Sequence, residues 1–134
     1  GSEMCIRDSI DEIYLLFQHE YSANFLFTLW KRVRKYGAYA TGITQNVDDL
    51  LQSHTARTML ANSEFLIMLN QASTDRIELA KLLNISDLQL SYITNVDAGH
   101  GLIKVGSSLV PFANKFPKNT KLYKLMTTKP GEGV

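Results

Sequence analysis

The chain has 134 residues, a formal charge of +1 and 45 % apolar residues. At roughly 150 residues per domain that is one domain with one core, and the composition excludes disordered and collagen-like architectures. No apolar run reaches the ~20 residues of a membrane span, no charged-then-apolar leader opens the chain, and the lone Cys5 cannot close an internal disulfide, so a stapled secreted mini-domain is excluded and a cytosolic setting is expected.

Charge is unevenly spread. Residues 1–97 hold 8 basic and 12 acidic side chains. Residues 98–131 hold six lysines, at 104, 115, 118, 121, 124 and 129, and no carboxylate. The last third is therefore a separate electrostatic region.

Residues 1–9 follow neither a period of 2 nor one of 3.6 and are set apart from the fold as a leader or cloning artefact, with the domain expected over 10–134. A helix is predicted from Ser22 to Lys35, with Phe25, Leu26, Leu29, Trp30, Val33 and Tyr36 on one face. Ser22 would cap it, cations fill its last turns, and Gly37 stands at the C′ position. Residues 38–44 are short, uncharged and rich in small side chains, which predicts a buried central strand. Short helices are expected near Asp48–Leu51 and over Ala56–Ala61. The apolar run from Glu64 to Leu69 reads as a second buried strand. Thr74–Leu83 is amphipathic, and Ser86 caps a further short helix reaching about Tyr92. Residues 101–105 and 109–113 flank Gly106-Ser107-Ser108 as a hairpin, and Leu122–Thr127 reads as a last strand. This β-α-β-α-β-α-α order followed by a hairpin predicts an α/β sheet with an antiparallel edge.

Three groups of residues suit chemistry. Asp11 and Glu12 are adjacent carboxylates behind a short strand, a pairing that lets one acid order Mg²⁺ and the next polarise water. Equally, they suit the N-terminal end of a helix, where the dipole favours acids. Gln45 ends the small-residue strand, where it could orient water, sense a γ-phosphate or serve as an ordinary turn residue. Arg34 ends the predicted helix, as an arginine finger across a subunit interface or as a surface cation. A right-handed crossover through the helix would place the carboxylates and Gln45 at the C-terminal ends of neighbouring strands ~4.8 Å apart, the edge where open α/β sheets bind ligands. The three histidines lack metal-ligand spacing. Ser107 and Ser108 have no nearby His or Asp motif, Gly99, Gly101 and Gly106 form no dinucleotide fingerprint, and the lysine-rich tail reads as a solvated face or an anionic-partner surface with interleaved aromatics.

Several segments together resemble a known family. They are Ile10-Asp11-Glu12, residues 29–37 (LWKRVRKYG), residues 41–47 (TGITQNV), Leu60-Ala61-Asn62-Ser63 through Leu69-Asn70-Gln71, Gly99-His100-Gly101-Leu102-Ile103, Val110-Pro111-Phe112 and residues 122–128. In this order they resemble the type IV secretion or conjugal transfer ATPase of the TraC/TrsE kind, the fourth VirB protein, within the FtsK–HerA superfamily. The resemblance runs from about Ile10 to Gly133. It implies the C-terminal half of a RecA-like P-loop NTPase sheet, with parallel strands, helices on both faces and an antiparallel hairpin at the end.

The resemblance further implies ATP and Mg²⁺ as cofactors. Asp11 would be the Mg²⁺-associated Walker B acid, directly or through water. Glu12 would be the general base, Gln45 the γ-phosphate or water sensor, and Arg34 the finger in trans, with Arg32 and Arg57 as alternatives. Implied partners are like subunits in a hexameric ring, other secretion-channel subunits at the inner face of the cytoplasmic membrane, and DNA. Two departures stand out. Arg7, Asp8 and Ser9 occupy places where the family has apolar residues, and no Gly-x-x-x-x-Gly-Lys-Ser/Thr occurs, so the phosphate cradle is missing. The isolated chain is accordingly expected to be inactive. A DNA-translocating coupling ATPase of the same superfamily and a non-catalytic α/β interaction module are the rival readings.

Overall fold

A computed structural model describes residues 7–132. Cys5 and the rest of residues 1–6, which hold most of the expected leader, lie outside the described residues. Strand β1 (Arg7–Ile10) pairs in parallel with β2 (Tyr39–Gly42), Ile10 opposite Gly42. Arg7, Asp8 and Ser9 are exposed. A ladder uses backbone groups, so polar side chains are tolerated on such an edge strand.

The crossover between these strands is helix α1 (Glu20–Val33), preceded by a 3-10 turn over Ile13–Phe17 and followed by another over Arg34–Tyr36. Gly37 ends it at φ +62°, the left-handed C′ conformation the sequence predicts. The predicted cap at Ser22 is not there. The helix starts two residues earlier, after His19, and the Ser22 hydroxyl donates instead to the carbonyls of Leu16 and His19.

Helices α2 (Val47–Gln52) and α3 (His54–Ala61) follow, capped by the side chains of Asn46 and Ser53. Strand β3 (Phe65–Met68) then leads to α4 (Ser73–Leu83) and α5 (Asp87–Leu90). Ser86 and Gln89 close a reciprocal capping box on α5, and a 3-10 turn over Ser91–Ile93 carries the chain to about where the sequence ends this helix. The predicted hairpin forms as β4 (His100–Val105) and β5 (Ser108–Ala113) around Gly106-Ser107. Gly106 takes φ +55°, as a tight two-residue loop requires. Leu122–Thr127 is not a strand. Residues Lys121–Met126 form helix α6, whose N-terminus is capped by the Thr120 hydroxyl accepting from the Tyr123 amide.

The expected single parallel sheet is divided. β1–β2 is one parallel pair, and β3–β4–β5 is a separate antiparallel sheet. Among the described residues no strand lies between β2 and β3, so each keeps a free edge. The core divides with the sheets, contrary to the single core that length suggests. Ile13, Leu26, Leu50, Ala56 and Met59 form one cluster. Val47, Leu51, Met68, Leu79, Leu83, Ile85, Ile93 and Leu102 form the other. Helix α2 joins them, with Leu50 facing the first cluster and Val47 and Leu51 the second.

Neither predicted buried strand is buried on both faces. β2 is largely exposed, with only Ala40 half-buried. In β3, Met68 enters the core while Phe65 and Ile67 are 62 % and 67 % exposed. Ile67 aligns with Ile103 and then Val110, and Phe65 aligns with Val105. Directly opposed residues share a face, so these side chains make a continuous apolar surface. Ile67→Lys should therefore raise the soluble yield, since a lysine on an edge strand opposes strand addition and aggregation. Its melting temperature should stay close to wild type, because surface changes usually cost within about 0.5 kcal/mol. A large loss of stability would show that the isolated chain covers this face.

The C-terminal segment folds back on α6. Glu132 accepts from the Tyr123 hydroxyl and pairs with Lys118 at 3.2 Å, while Phe116 stacks on Tyr123 at 6.3 Å. The Tyr123 hydroxyl, then Lys118, hold the Glu132 carboxyl below its ordinary value of 4.5. Glu132 in turn raises Lys118 above 10.5. A lowered carboxylate contributes above its unfolded pKa and loses that contribution as pH falls through the folded one. A raised lysine contributes below its unfolded pKa and loses that as pH rises through the folded one. The clasp should therefore hold across neutral pH and release at the acid and alkaline ends. The Tyr123 ring shifts in NMR should report both releases, and Glu132→Gln should abolish the acid one.

Candidate functional site

The parallel pairing of β1 and β2 brings their C-terminal ends together, and both continue past their last ladder residues. The Ile43 amide donates to the Ile10 carbonyl at 2.8 Å, and the Ile13 amide donates to the Ile43 carbonyl at 3.0 Å. These bonds clamp Asp11-Glu12 beside Thr44-Gln45. The Gln45 Nε2 donates to Glu12 Oε1 at 3.4 Å. Two candidates 33 residues apart in sequence therefore meet at one sheet edge, as the crossover geometry predicts.

Each side of this edge is braced. Asp11 Oδ1 accepts from the Glu12 amide at 2.9 Å, while Asp11 itself stays exposed. Glu12 is left-handed at φ 49°, ψ 44°, a conformation that costs a non-glycine residue about 1–2 kcal/mol. Its Oε2 is buried without a hydrogen-bond partner. The strained backbone and the unpaired buried oxygen thus fall on one carboxylate, each at a cost to stability. On the other side, the Asn46 amide donates to Thr44 Oγ1 at 3.1 Å. The Asn46 side chain donates to Asp49 Oδ2 at 2.6 Å and accepts from the Asp49 amide at 3.2 Å. Gln45 thus sits on a loop fixed at both ends. Thr44, Asn46 and Asp49 form this brace. The Asn-x-x-Asp spacing at a helix start was their signal.

The three arginines separate clearly. Arg34 is exposed in the 3-10 turn that ends α1, outside the Glu12–Gln45 contact. Arg32 is likewise exposed. Arg57 is engaged within the fold: its Nε donates to the Leu51 carbonyl at 2.5 Å and its guanidinium pairs with Glu78 at 2.8 Å. Among the described residues no group of three or more His, Cys, Asp or Glu residues is placed to hold a metal by itself. Asp11 and Glu12 supply hard oxygen donors of the kind Mg²⁺ takes alongside water and phosphate. The sequence holds no Gly-x-x-x-x-Gly-Lys-Ser/Thr loop to supply the consecutive backbone N–H groups that hold a triphosphate.

No curated protein matches the chain. Among solved structures, VirB4 of Thermoanaerobacter pseudethanolicus aligns with a TM-score of 0.77 at 24 % identity, over 87 % of this chain and 33 % of that one. The chain thus spans about a third of that structure's length, and at this identity the likeness shows a shared mixed α/β fold. The family model for the TraG P-loop domain matches residues 5–104. On that match, which covers most of the chain, this protein belongs to the TraG P-loop domain family.

Proposed function

We propose that this chain is the C-terminal part of an ATPase motor domain of the TraC/TrsE kind, which powers conjugative transfer or type IV secretion. The observation that carries the proposal is the meeting of Glu12 and Gln45 at the ends of two parallel strands, with Glu12 held in a strained backbone and one of its oxygens buried and unpaired. Glu12 takes a proton from the attacking water as general base. Gln45, its amide directed at the same carboxylate, orients that water. Asp11, exposed beside them, holds Mg²⁺ directly or through water. When bound there, Mg²⁺ would polarise the terminal phosphate and offset the charge on the leaving group. Arg34, exposed in the turn after α1, reaches a neighbouring site in a hexameric ring. The motor works at the inner face of the cytoplasmic membrane, among other secretion-channel subunits and with DNA as a further partner.

Catalysis in this scheme needs the phosphate cradle, which the sequence does not contain. Incubated with Mg²⁺·ATP, the purified chain should release phosphate no faster than buffer, and Glu12→Gln should change nothing. Turnover that depends on Glu12 in this chain alone would overturn the assignment of a partial site.

A further inference from the structure

The exposed side of α1 and its following turn has an unusual makeup. No carboxylate occurs between Glu20 and Asp48, while Lys31, Arg32, Arg34 and Lys35 cluster near the end of the helix. Lys31 lies over the Phe27 ring at 4.1 Å. Among the described residues, neither Arg32 nor Lys35 has an ion-pair partner. Along the same helix Tyr21 and Phe25 stand 86 % and 62 % exposed, one turn apart. Residues spaced i, i+4, i+7 and i+11 share a face, which puts Tyr21, Phe25 and Arg32 in one stripe. Aromatic rings and arginine are the side chains that dominate protein interfaces.

The same chain carries a complementary surface. Asp48 and Asp49 begin α2, are exposed, and have no cation beside them among the described residues; they bond only the side chains of Gln52 and Asn46, and the Asp49 amide bonds the Asn46 side chain. Next to them a depression of about 310 Å³ is lined by Phe17, Gln18, Asp49, Gln52 and Ser53. It offers a half-buried aromatic wall and a carboxylate at its rim, which suits an incoming ring with a cation one or two turns away.

We propose that the Tyr21–Phe25–Arg32 stripe of one copy docks on the Phe17–Asp49 depression of a second copy of this chain. The two surfaces share no residue, which allows a head-to-tail contact that propagates around a ring. The proposal deepens the ring reading above and rests on it for the identity of the partner. It differs from that reading in naming the surfaces, and its test contains no ATP.

The test is sedimentation of the whole chain at low and high salt. Wild type should self-associate, more tightly at low salt because exposed charges are screened as salt rises. Arg32→Glu with Lys35→Glu should weaken association roughly tenfold or more, and Asp48→Lys with Asp49→Lys should do the same. Mixing the two reversed proteins should restore association to near the wild-type level, since each then meets its complement. Phe25→Ser, at an exposed site that folding does not need, should weaken association at both salt concentrations. Asp48→Asn with Asp49→Asn provides the milder variant, and circular dichroism confirms folding throughout. A monomeric wild type, unaltered association in the variants, or no recovery on mixing would overturn the proposal. So would binding of a single-stranded oligothymidine that the Arg32 and Lys35 changes abolish while association persists, which would assign the stripe to nucleic acid. Phosphate release from Mg²⁺·ATP by this chain bears on the catalytic edge alone.

Discussion

Gly101→Ala should destabilise the chain by about 3 kcal/mol and lower its melting temperature by roughly 10 °C. Gly101 is buried within β4, between β3 and β5 and opposite Phe112. A Cβ there would run into the Met68 carbonyl oxygen and sit 2.8 Å from two carbons of the Phe112 ring. The two obstacles differ. The ring can turn aside, whereas the carbonyl belongs to the backbone of β3 and moves only if the β3–β4 ladder moves with it. The neighbouring Leu102 is fully buried in the larger core, so the ladder cannot shift here without opening that core. Phe112→Leu combined with Gly101→Ala should recover only part of the loss, and a double-mutant cycle by urea unfolding would read the coupling. Full recovery would place the whole conflict on the ring. A Gly101→Ala protein as stable as wild type would mean that β3 and β4 do not approach this closely.

What the sequence reveals of this fold follows the range of the interaction. Helix α1 is legible because its apolar period is local, and so are the Ser86 capping box and the two-residue turn at Gly106. The start of α1 is misread because Ser22 is a good cap by type. Its hydroxyl bonds carbonyls instead, and the helix begins at Glu20 without a side-chain cap. Leu122–Thr127 is misread because Leu122, Tyr123, Leu125 and Met126 fit either period over so short a run. The Thr120 cap on the Tyr123 amide decides for helix. The run from Glu64 to Leu69 reads as a strand buried on both faces, and its outer residues would fit that setting. Among the described residues nothing covers Phe65 and Ile67. The division into two sheets is less visible still, since it depends on which edges find partners across the chain. The candidate edge was legible for the opposite reason. A parallel crossover through one helix must return the chain beside its starting strand, so the distance between Glu12 and Gln45 followed from topology. The left-handed backbone at Glu12 and the Thr44–Asn46–Asp49 brace are local geometry that residue types alone do not reveal.

In a motor where this chain is joined to a half bearing the phosphate cradle, Glu12→Gln should lower ATP turnover by about 10²–10⁴, the range for removing a general base. Substrate binding should change little, because the carboxylate acts on water and not on the nucleotide. Gln45→Ala should lower turnover less, since Gln45 orients the water through its 3.4 Å bond to Glu12 and takes no proton. The two changes together should cost little more than Glu12→Gln alone, because both act on one water. If both single variants turn over ATP at the wild-type rate, the acids and the glutamine are structural and the chain is an interaction module. Stability supplies an independent readout. Glu12→Gly relieves the left-handed strain and removes the unpaired buried oxygen, offset by the extra chain entropy of glycine. The net should be a gain of about 0.5–1 kcal/mol in urea unfolding while turnover is lost, which is the trade expected when a fold carries strain for function. A structural glutamate would show the reverse, losing stability as glycine and leaving turnover intact.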